Sequence, residues 1–238
     1  MKEIEYFGML SSTRQQVHNL FEDDLVINEP VSVLSYLKEK HGSLDVFKCP
    51  AFKNHVKNTF YITSPIDFSI SKIGDEHWSI ANTKSKNTRL LAPYLDVRAP
   101  ETNLMDGVPC INVGLQYYFV NNGDNITMEI IQPPLVNQDL TNMPGEFIIS
   151  KWCRPTNFTF FVKPGVTELK FKRGEPLYAV RFRTDDNVKL TRIEDTSRKH
   201  LLLEEQSKAT SLKEYYPGLK LEEMYTMFKR SIKRIFEK

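Results

Sequence analysis

Short β-like runs recur through the middle of the chain, and this recurrence constrains the fold more than any other feature. Between residues 45 and 193 the runs are separated by breaks rich in Pro, Asn and Gly, with no long helical pattern between them. The candidate strands are Asp45–Cys49, Thr59–Thr63, Ile66–Ile70, His77–Ala81, Arg89–Leu95, Cys110–Val120, Ile126–Ile131, Glu146–Trp152, Asn157–Val162, Glu168–Lys172, Leu177–Arg183 and Val188–Ile193. Because parallel strands need helical crossovers, a series of short strands without long helices between them predicts a mainly β fold, either an antiparallel β-sandwich or a jelly roll.

The clearest strand is predicted at Cys110–Val120, where apolar residues alternate with smaller or polar residues. A period of two places one apolar row on one face of a sheet. The next run, Ile126–Ile131, repeats the alternation, and Asn121–Asp124 between the two runs contains Asn and Gly, which accept positive φ. The sequence therefore predicts a hairpin at this point.

Helical patterns flank the strand-rich region. Short helices are predicted on the N-terminal side at Thr13–Phe21 and Pro30–Lys40. On the C-terminal side, Glu194–Lys213 is predicted to begin as a capped helix and to become irregular around Ser207–Ser211, and another helix is predicted from Leu219. The sequence thus divides into an N-terminal helical extension at 1–43, a β-sandwich core at 44–193 and a C-terminal helical extension at 194–238.

Composition excludes several classes of protein. The chain has 238 residues, 40% hydrophobic and 26% charged, which is typical of a globular protein rather than a disordered one. Its net charge of +2 gives no general case for nucleic-acid binding. We find no apolar run long enough for a signal peptide or a membrane span. Three distant cysteines then indicate reduced thiols, and we expect a cytoplasmic location, in a host cell or in a virion.

Local motifs of catalysis are missing from the sequence. His18, His41, His55, His77 and His200 form no His-x-Asp or His-x-His pair, which disfavours an iron oxygenase or a metal cupin. We also find no zinc, nucleophile-elbow, Walker or dinucleotide-binding motif. The sequence therefore predicts no metal and no cofactor, and an enzyme is disfavoured, although a site assembled from distant residues stays open.

Aromatic and basic residues give one candidate ligand site. An exposed Trp152 beside Lys151 and Arg154 could stack on and clamp an anionic or planar ligand. A pocket between the sheets could also be lined by Trp78, Tyr117, Trp152 and Arg181. The alternative reading is that the aromatic residues belong to the core and the cations lie on the surface.

The segment from residue 151 to residue 183 is rich in cations. If these cations shared one face, the segment could bind phosphates of a nucleic acid or an acidic partner, a reading that we do not favour over a solvated sheet edge. Asp67 with His77 could form an acid–base pair, and Cys110 or Cys153 could act as a nucleophile. For each of these, a structural role is the favoured alternative.

The last predicted helix has two unlike faces. Its apolar stripe consists of Met224, Phe228, Ile232 and Ile235, and its opposite side is basic. The stripe could dock on a partner subunit, or it could pack on its own sheet. Sequence spacing does not separate these two alternatives.

The most distinctive block of the chain is Trp152–Leu177, where an aromatic strand precedes Pro-Gly-Val and a further strand precedes Gly-Glu-Pro. The segment 152–182 predicts a second meander with turns at these two motifs. Over residues 146–183 the chain resembles an uncharacterised family of β-rich proteins of bacteria and bacteriophages. The resemblance implies a compact β fold and a phage origin, and it carries no catalytic residue.

These observations predict a non-enzymatic assembly or binding protein, phage-encoded, in which the β core and the terminal helix contact a protein partner or a second copy. A virion component or an accessory protein both fit this description. The alternative is a small-ligand-binding protein or an enzyme with a pocket between the sheets.

Overall fold

The computed structural model of the chain describes residues 1–10, 20–21, 27–73, 77–81, 108–123, 125–136, 138–216 and 218–237. The described part is mainly β and contains several sheets, as the recurrence of strand-like runs predicts. The predicted strand Arg89–Leu95 lies outside these residues. So does the predicted helix Thr13–Phe21, except for Leu20–Phe21, which form a short strand.

The strands are numbered along the chain. They are β1 Lys2–Leu10, β2 Leu20–Phe21, β3 Val31–Ser32, β4 Thr59–Thr63, β5 Phe68–Ile73, β6 His77–Ala81, β7 Cys110–Val120, β8 Thr127–Ile131, β9 Leu140–Asn142, β10 Gly145–Ile148, β11 Pro155–Val162, β12 Glu168–Phe171, β13 Pro176–Arg183 and β14 Val188–Arg192. The helices are α1 Val33–His41, α2 Pro50–His55, α3 Thr196–Tyr215 and α4 Leu221–Phe236, with a 3-10 helix at Asp45–Lys48. Helix α3 runs without interruption through Ser207–Ser211, so the irregular structure predicted there is wrong.

Three sheets make up the described β structure. The first has the order β14-β1-β7-β11-β9 with β2 on β1, the second β10-β8-β13-β4-β3, and the third β12-β5-β6. The pairings are antiparallel throughout the described residues, except that β1 and β14 are parallel. Strand β1 was not predicted from the sequence, yet it lies inside the first sheet between β14 and β7.

The main core lies between the sheets and is filled with aromatic rings. Phe158 of β11 contacts Phe171 of β12 with ring centroids 5.5 Å apart, and Tyr178 of β13 with centroids 6.1 Å apart. One ring thus joins strands of all three sheets. The side chains of all three residues are buried, so this contact belongs to the interior.

The alternation predicted in β7 is present, but the predicted hairpin is wrong. β7 lies in the first sheet and β8 in the second, so the two strands do not pair. The connection between them carries the chain from one sheet to the other. Asn121 anchors the start of this connection, because its side-chain N–H donates to the carbonyl oxygen of Glu3 at 2.8 Å. Both strands direct apolar residues into the shared core, which satisfies the same pattern without a hairpin.

The prediction of a second meander is wrong for a similar reason. β11, β12 and β13 follow one another in sequence but lie in the first, third and second sheets. The turns at Gly165 and Gly174 are present, and both glycines have positive φ. The turns therefore move the chain between sheets instead of joining neighbouring strands.

The strand predicted at Asp45–Cys49 is also wrong. This segment forms the 3-10 helix, in which the N–H of Phe47 donates to the carbonyl oxygen of Leu44. Phe47 is buried beneath α1, and Pro50 then occupies the first turn of α2. One anchoring aromatic residue and a helix-starting proline fix this connection, although its composition is β-like.

The two long helices cover the outer face of the first sheet. Leu202 of α3 and Ile232 of α4 pack with Phe7 and Tyr118 in a second hydrophobic cluster. Arg198 of α3 donates to both carboxylate oxygens of Glu5 in β1, at 2.8 and 2.5 Å, and its guanidinium lies over the ring of Phe236. A forked ion pair thus attaches the helical layer to the sheet.

Candidate functional site

The aromatic residues predicted to line a pocket between the sheets are core residues. Trp78, Tyr117 and Trp152 are all buried in the main core. The Tyr117 hydroxyl donates to the carbonyl oxygen of Asn28 at 2.5 Å, which fixes its ring. Their packing fills the space that a pocket of this kind would need.

The predicted cations at this place lie apart from one another. The Arg154 guanidinium lies 4.9 Å from the ring centroid of Trp152, and burial lowers the pKa of Arg154. Arg181 instead donates from Nε to the Thr59 hydroxyl and from a terminal nitrogen to the carbonyl oxygen of His55, each at 3.3 Å. Arg181 therefore connects β13 to β4 and α2.

The basic segment 151–183 does not form one cationic face. Lys170 pairs with Glu168 at 2.9 Å, and Arg183 pairs with the buried Glu129. Lys163 donates to the carbonyl oxygen of Gln138 at 2.6 Å. The cations are divided among β12 of the third sheet, β13 of the second sheet and the connections between strands, and several have partners, which counts against recognition of nucleic acid.

The residues of the other two chemical hypotheses, an acid–base pair and a cysteine nucleophile, do not support catalysis. A carboxylate oxygen of Asp67 accepts a hydrogen bond from the backbone N–H of Arg173 at 2.7 Å, while the side chain of His77 lies outside the described part. Burial raises the pKa of both Cys110 and Cys153. A buried thiol with a raised pKa stays protonated at neutral pH and is a poor nucleophile.

The apolar stripe of the last helix packs on its own chain. Met224 and Phe228 are buried in the main core, and Ile232 and Ile235 are buried in the second cluster. A docking surface made of these four residues would be covered in the folded chain.

A groove alongside α1 is the candidate site that the sequence did not indicate. Its first part is a cleft of about 570 Å³ between α1, the loop before β9, and the strands β12 and β13. A second cleft, of about 620 Å³, shares Tyr36 and Lys40 with the first and continues towards Arg173. We call the two clefts together the α1 groove.

The floor of the α1 groove is apolar and its rim is charged. Buried side chains of Leu37, Leu140, Leu169 and Phe171 form the floor of the first cleft. The rim carries both signs of charge, from Lys40, Lys170, Asp139, Glu168 and Glu175. Such a lining buries apolar groups while it offers polar contacts at its edge.

Leu135 stands at the edge of the groove in an unusual conformation. Its backbone has φ 59°, a left-handed value that costs a branched residue about 1 kcal/mol, and its side chain is 69% exposed. Strain and exposure of a leucine beside an apolar floor are typical of a contact residue. The signal in the sequence was the Pro133-Pro134 pair in front of it, which fixes a loop.

Hydrogen bonds and ring contacts hold the described residues around Leu135 in place. The Tyr61 hydroxyl donates to the carbonyl oxygen of Pro134, and the Tyr61 ring meets the Tyr36 ring edge-on with centroids 5.2 Å apart. The Gln138 side chain donates to the carbonyl oxygen of Pro176 at 2.6 Å. The Lys40 ammonium lies 5.6 Å from the Tyr36 ring centroid. The groove is therefore formed before any partner arrives.

A scan against models of protein families found no match, and a search of curated proteins found none either. Among the described residues, no group of three or more His, Cys, Asp or Glu side chains could hold a metal ion. No helix within the described ranges is both long enough and apolar enough to cross a membrane.

Proposed function

We propose that this chain is a non-enzymatic binding protein that takes a segment of a protein partner in the α1 groove. The observation that carries the proposal is Leu135, a strained and solvent-exposed leucine beside an apolar floor. When a partner covers such a residue, its apolar surface leaves water, and this burial stabilises the complex.

The shape of the groove supports a peptide segment as the occupant. Two clefts that share Tyr36 and Lys40 run alongside one helix, so the combined site is elongated. Charges of both signs on the rim suit the backbone and mixed side chains of a chain segment. We place this activity in an antiparallel β-sandwich or jelly-roll core, and in the phage or bacterial assembly setting that the resemblance over residues 146–183 implies.

A peptide selection tests the proposal. The purified protein is panned against a library of random peptides, and enriched peptides are measured by calorimetry against the wild type and Leu135→Ser. We expect selected peptides to bind the wild type at least about tenfold more tightly than Leu135→Ser, because a buried leucine contributes about 1.5–3 kcal/mol.

Leu44→Ser is the matched control. Leu44 is also an exposed leucine, and it does not line the groove. Peptides that lose affinity for Leu135→Ser should keep it for Leu44→Ser. Equal binding to the wild type and Leu135→Ser, or no enriched peptide at all, would contradict the proposal.

A further inference from the structure

A separate cleft lies at the other end of the second sheet, away from Leu135. It has a volume of about 430 Å³, is open to solvent, and is lined by residues of α1, α2, β4 and the start of β14. We call it the lysine cleft. Its volume falls within the range of small-molecule sites, which is about 300–1,000 Å³.

The charged side chains that line the lysine cleft are Lys53 and Lys57, and no carboxylate among the described residues lines it. Lys53 is exposed and makes no ion pair with any described residue. The Lys57 ammonium donates to the backbone carbonyl oxygen of Asp185, a contact that positions it without neutralising it. The nearby Asp186 carboxylate lies 3.9 Å from the ammonium of Lys2 instead.

The rest of the lining has an apolar side and a polar side. Leu34, Phe60 and Val188 are only half-buried, so part of their apolar surface remains open to the cleft. Asn54 and Asn187 also line it and can donate hydrogen bonds from their side-chain amides. Two cations beside an apolar wall favour a ligand that has an anionic group and an apolar part.

Strong hydrogen bonds organise the wall of the cleft. Asn58 has φ 53°, and its side chain donates to the carbonyl oxygens of Thr184 and Asp186 at 3.1 and 2.8 Å. The same side chain accepts a hydrogen bond from the N–H of Val188 at 2.9 Å. The start of β14 is thereby fixed against β4, so the cleft keeps its shape without a ligand.

From this arrangement we infer that the lysine cleft binds a small organic anion, in which a phosphate or carboxylate group is attached to an apolar body. The anionic group contacts Lys53 and Lys57, and the apolar body lies against Phe60 and Val188. This site is independent of the peptide-binding role proposed for the α1 groove.

Calorimetry with phenyl phosphate, octanoate and inorganic phosphate tests the inference. We expect at least one of the two organic anions to bind the wild type. The variant Lys53→Gln/Lys57→Gln should weaken this binding at least about tenfold, because charge-assisted hydrogen bonds are lost. Lys172→Gln/Lys229→Gln, which removes two exposed lysines elsewhere, should bind as the wild type does.

Two further variants separate the parts of the site. Phe60→Ala should weaken binding of the organic anion and leave that of inorganic phosphate unchanged. Leu135→Ser should bind the organic anion as the wild type does, which keeps this test distinct from that of the α1 groove. If the double lysine variant does not fold, the exposed Lys53→Glu replaces it. The inference would be overturned if neither organic anion binds, or if the lysine substitutions leave the affinity unchanged.

Discussion

The hydroxyl oxygen of Tyr225 in α4 accepts a hydrogen bond at 3.0 Å from the backbone N–H of Ile148, the last residue of β10. β10 is an edge strand of the second sheet, and open edges expose backbone donors and acceptors. The carbonyl oxygen of Ile148 accepts from the N–H groups of Lys151 and Trp152. A side chain of the last helix therefore completes the hydrogen bonding of this strand end.

Replacing Tyr225 by Phe should leave the Ile148 N–H without its partner. We expect Tyr225→Phe to lower the free energy of unfolding by about 1 kcal/mol and to speed amide exchange at Ile148. Urea unfolding and hydrogen exchange measure the two effects. Tyr215→Phe is the control, since Tyr215 is strongly exposed, and it should match the wild type. Equal stability of both variants would show that the hydroxyl contributes nothing.

Asn58 should tolerate Gly better than Ala. Both substitutions remove its three side-chain hydrogen bonds, at a cost of about 2–4 kcal/mol. Only Ala adds steric strain at φ 53°, which costs roughly 1 kcal/mol more. Chemical unfolding of the two variants gives the difference directly. An Ala variant as stable as the Gly variant would contradict this account of the left-handed backbone.

The inner and outer faces of α4 should respond differently to truncation. Ile232 is buried in the second cluster, whereas Met227 is about half exposed. We expect Ile232→Ala to cost about 2–4 kcal/mol and Met227→Ala less than about 0.5 kcal/mol. Urea unfolding measures both. Small effects of both variants would mean that the helix is detached from the sheet in solution and that its stripe is free for a partner.

Stability should fall at alkaline pH because burial raises the pKa of Tyr178, as it does those of Tyr61 and Tyr118. Below about pH 10 these tyrosines hold their protons in both states. Above it the unfolded chain releases protons that the folded chain keeps, so the free energy of unfolding decreases with pH. Urea unfolding between pH 8 and pH 11 should reveal this decrease.

The Tyr178→Phe variant checks the cause of that dependence. It removes one titrating group and one hydrogen bond, to the Thr156 hydroxyl at 2.8 Å. Its stability should be lower at neutral pH and should decline less steeply above pH 10. A decline as steep as that of the wild type would assign the alkaline effect to other groups.

Alternation in the sequence predicted strands well but did not predict their partners. β7 has the apolar row that its period of two indicates, because one face of a strand must be buried whichever sheet it joins. The same pattern cannot tell whether the strand after Asn121 turns back or crosses to another sheet. β1 was missed because the alternation of Glu3 and Glu5 with Ile4 and Tyr6 ends at Phe7, which is buried beneath the helices on the other face of the sheet.

The two candidate sites could not be predicted from the sequence, for a different reason. Leu135 lies in a loop and Lys53 in the short helix α2, and only the fold brings them beside α1. Trp152 was predicted to bind a ligand because cations flank it in the sequence, yet it is 8% exposed and packs edge-on against Phe147. Large aromatic residues are more often interior than functional, and clefts are made by distant segments.

The parallel pairing of β1 with β14 has a consequence for biosynthesis. The side-chain hydrogen bond from Thr191 to Glu3 spans 188 residues, and the one from Arg198 to Glu5 spans 193. During translation, β1 emerges before β14, and the Lys2–Tyr6 part of its outer edge stays unpaired until β14 has left the ribosome, although β2 pairs with Met9 and Leu10 sooner. A nascent chain with such an edge is a substrate for chaperones and for aggregation. Slowing of elongation after β13 should therefore reduce the yield of folded protein more than slowing after β14.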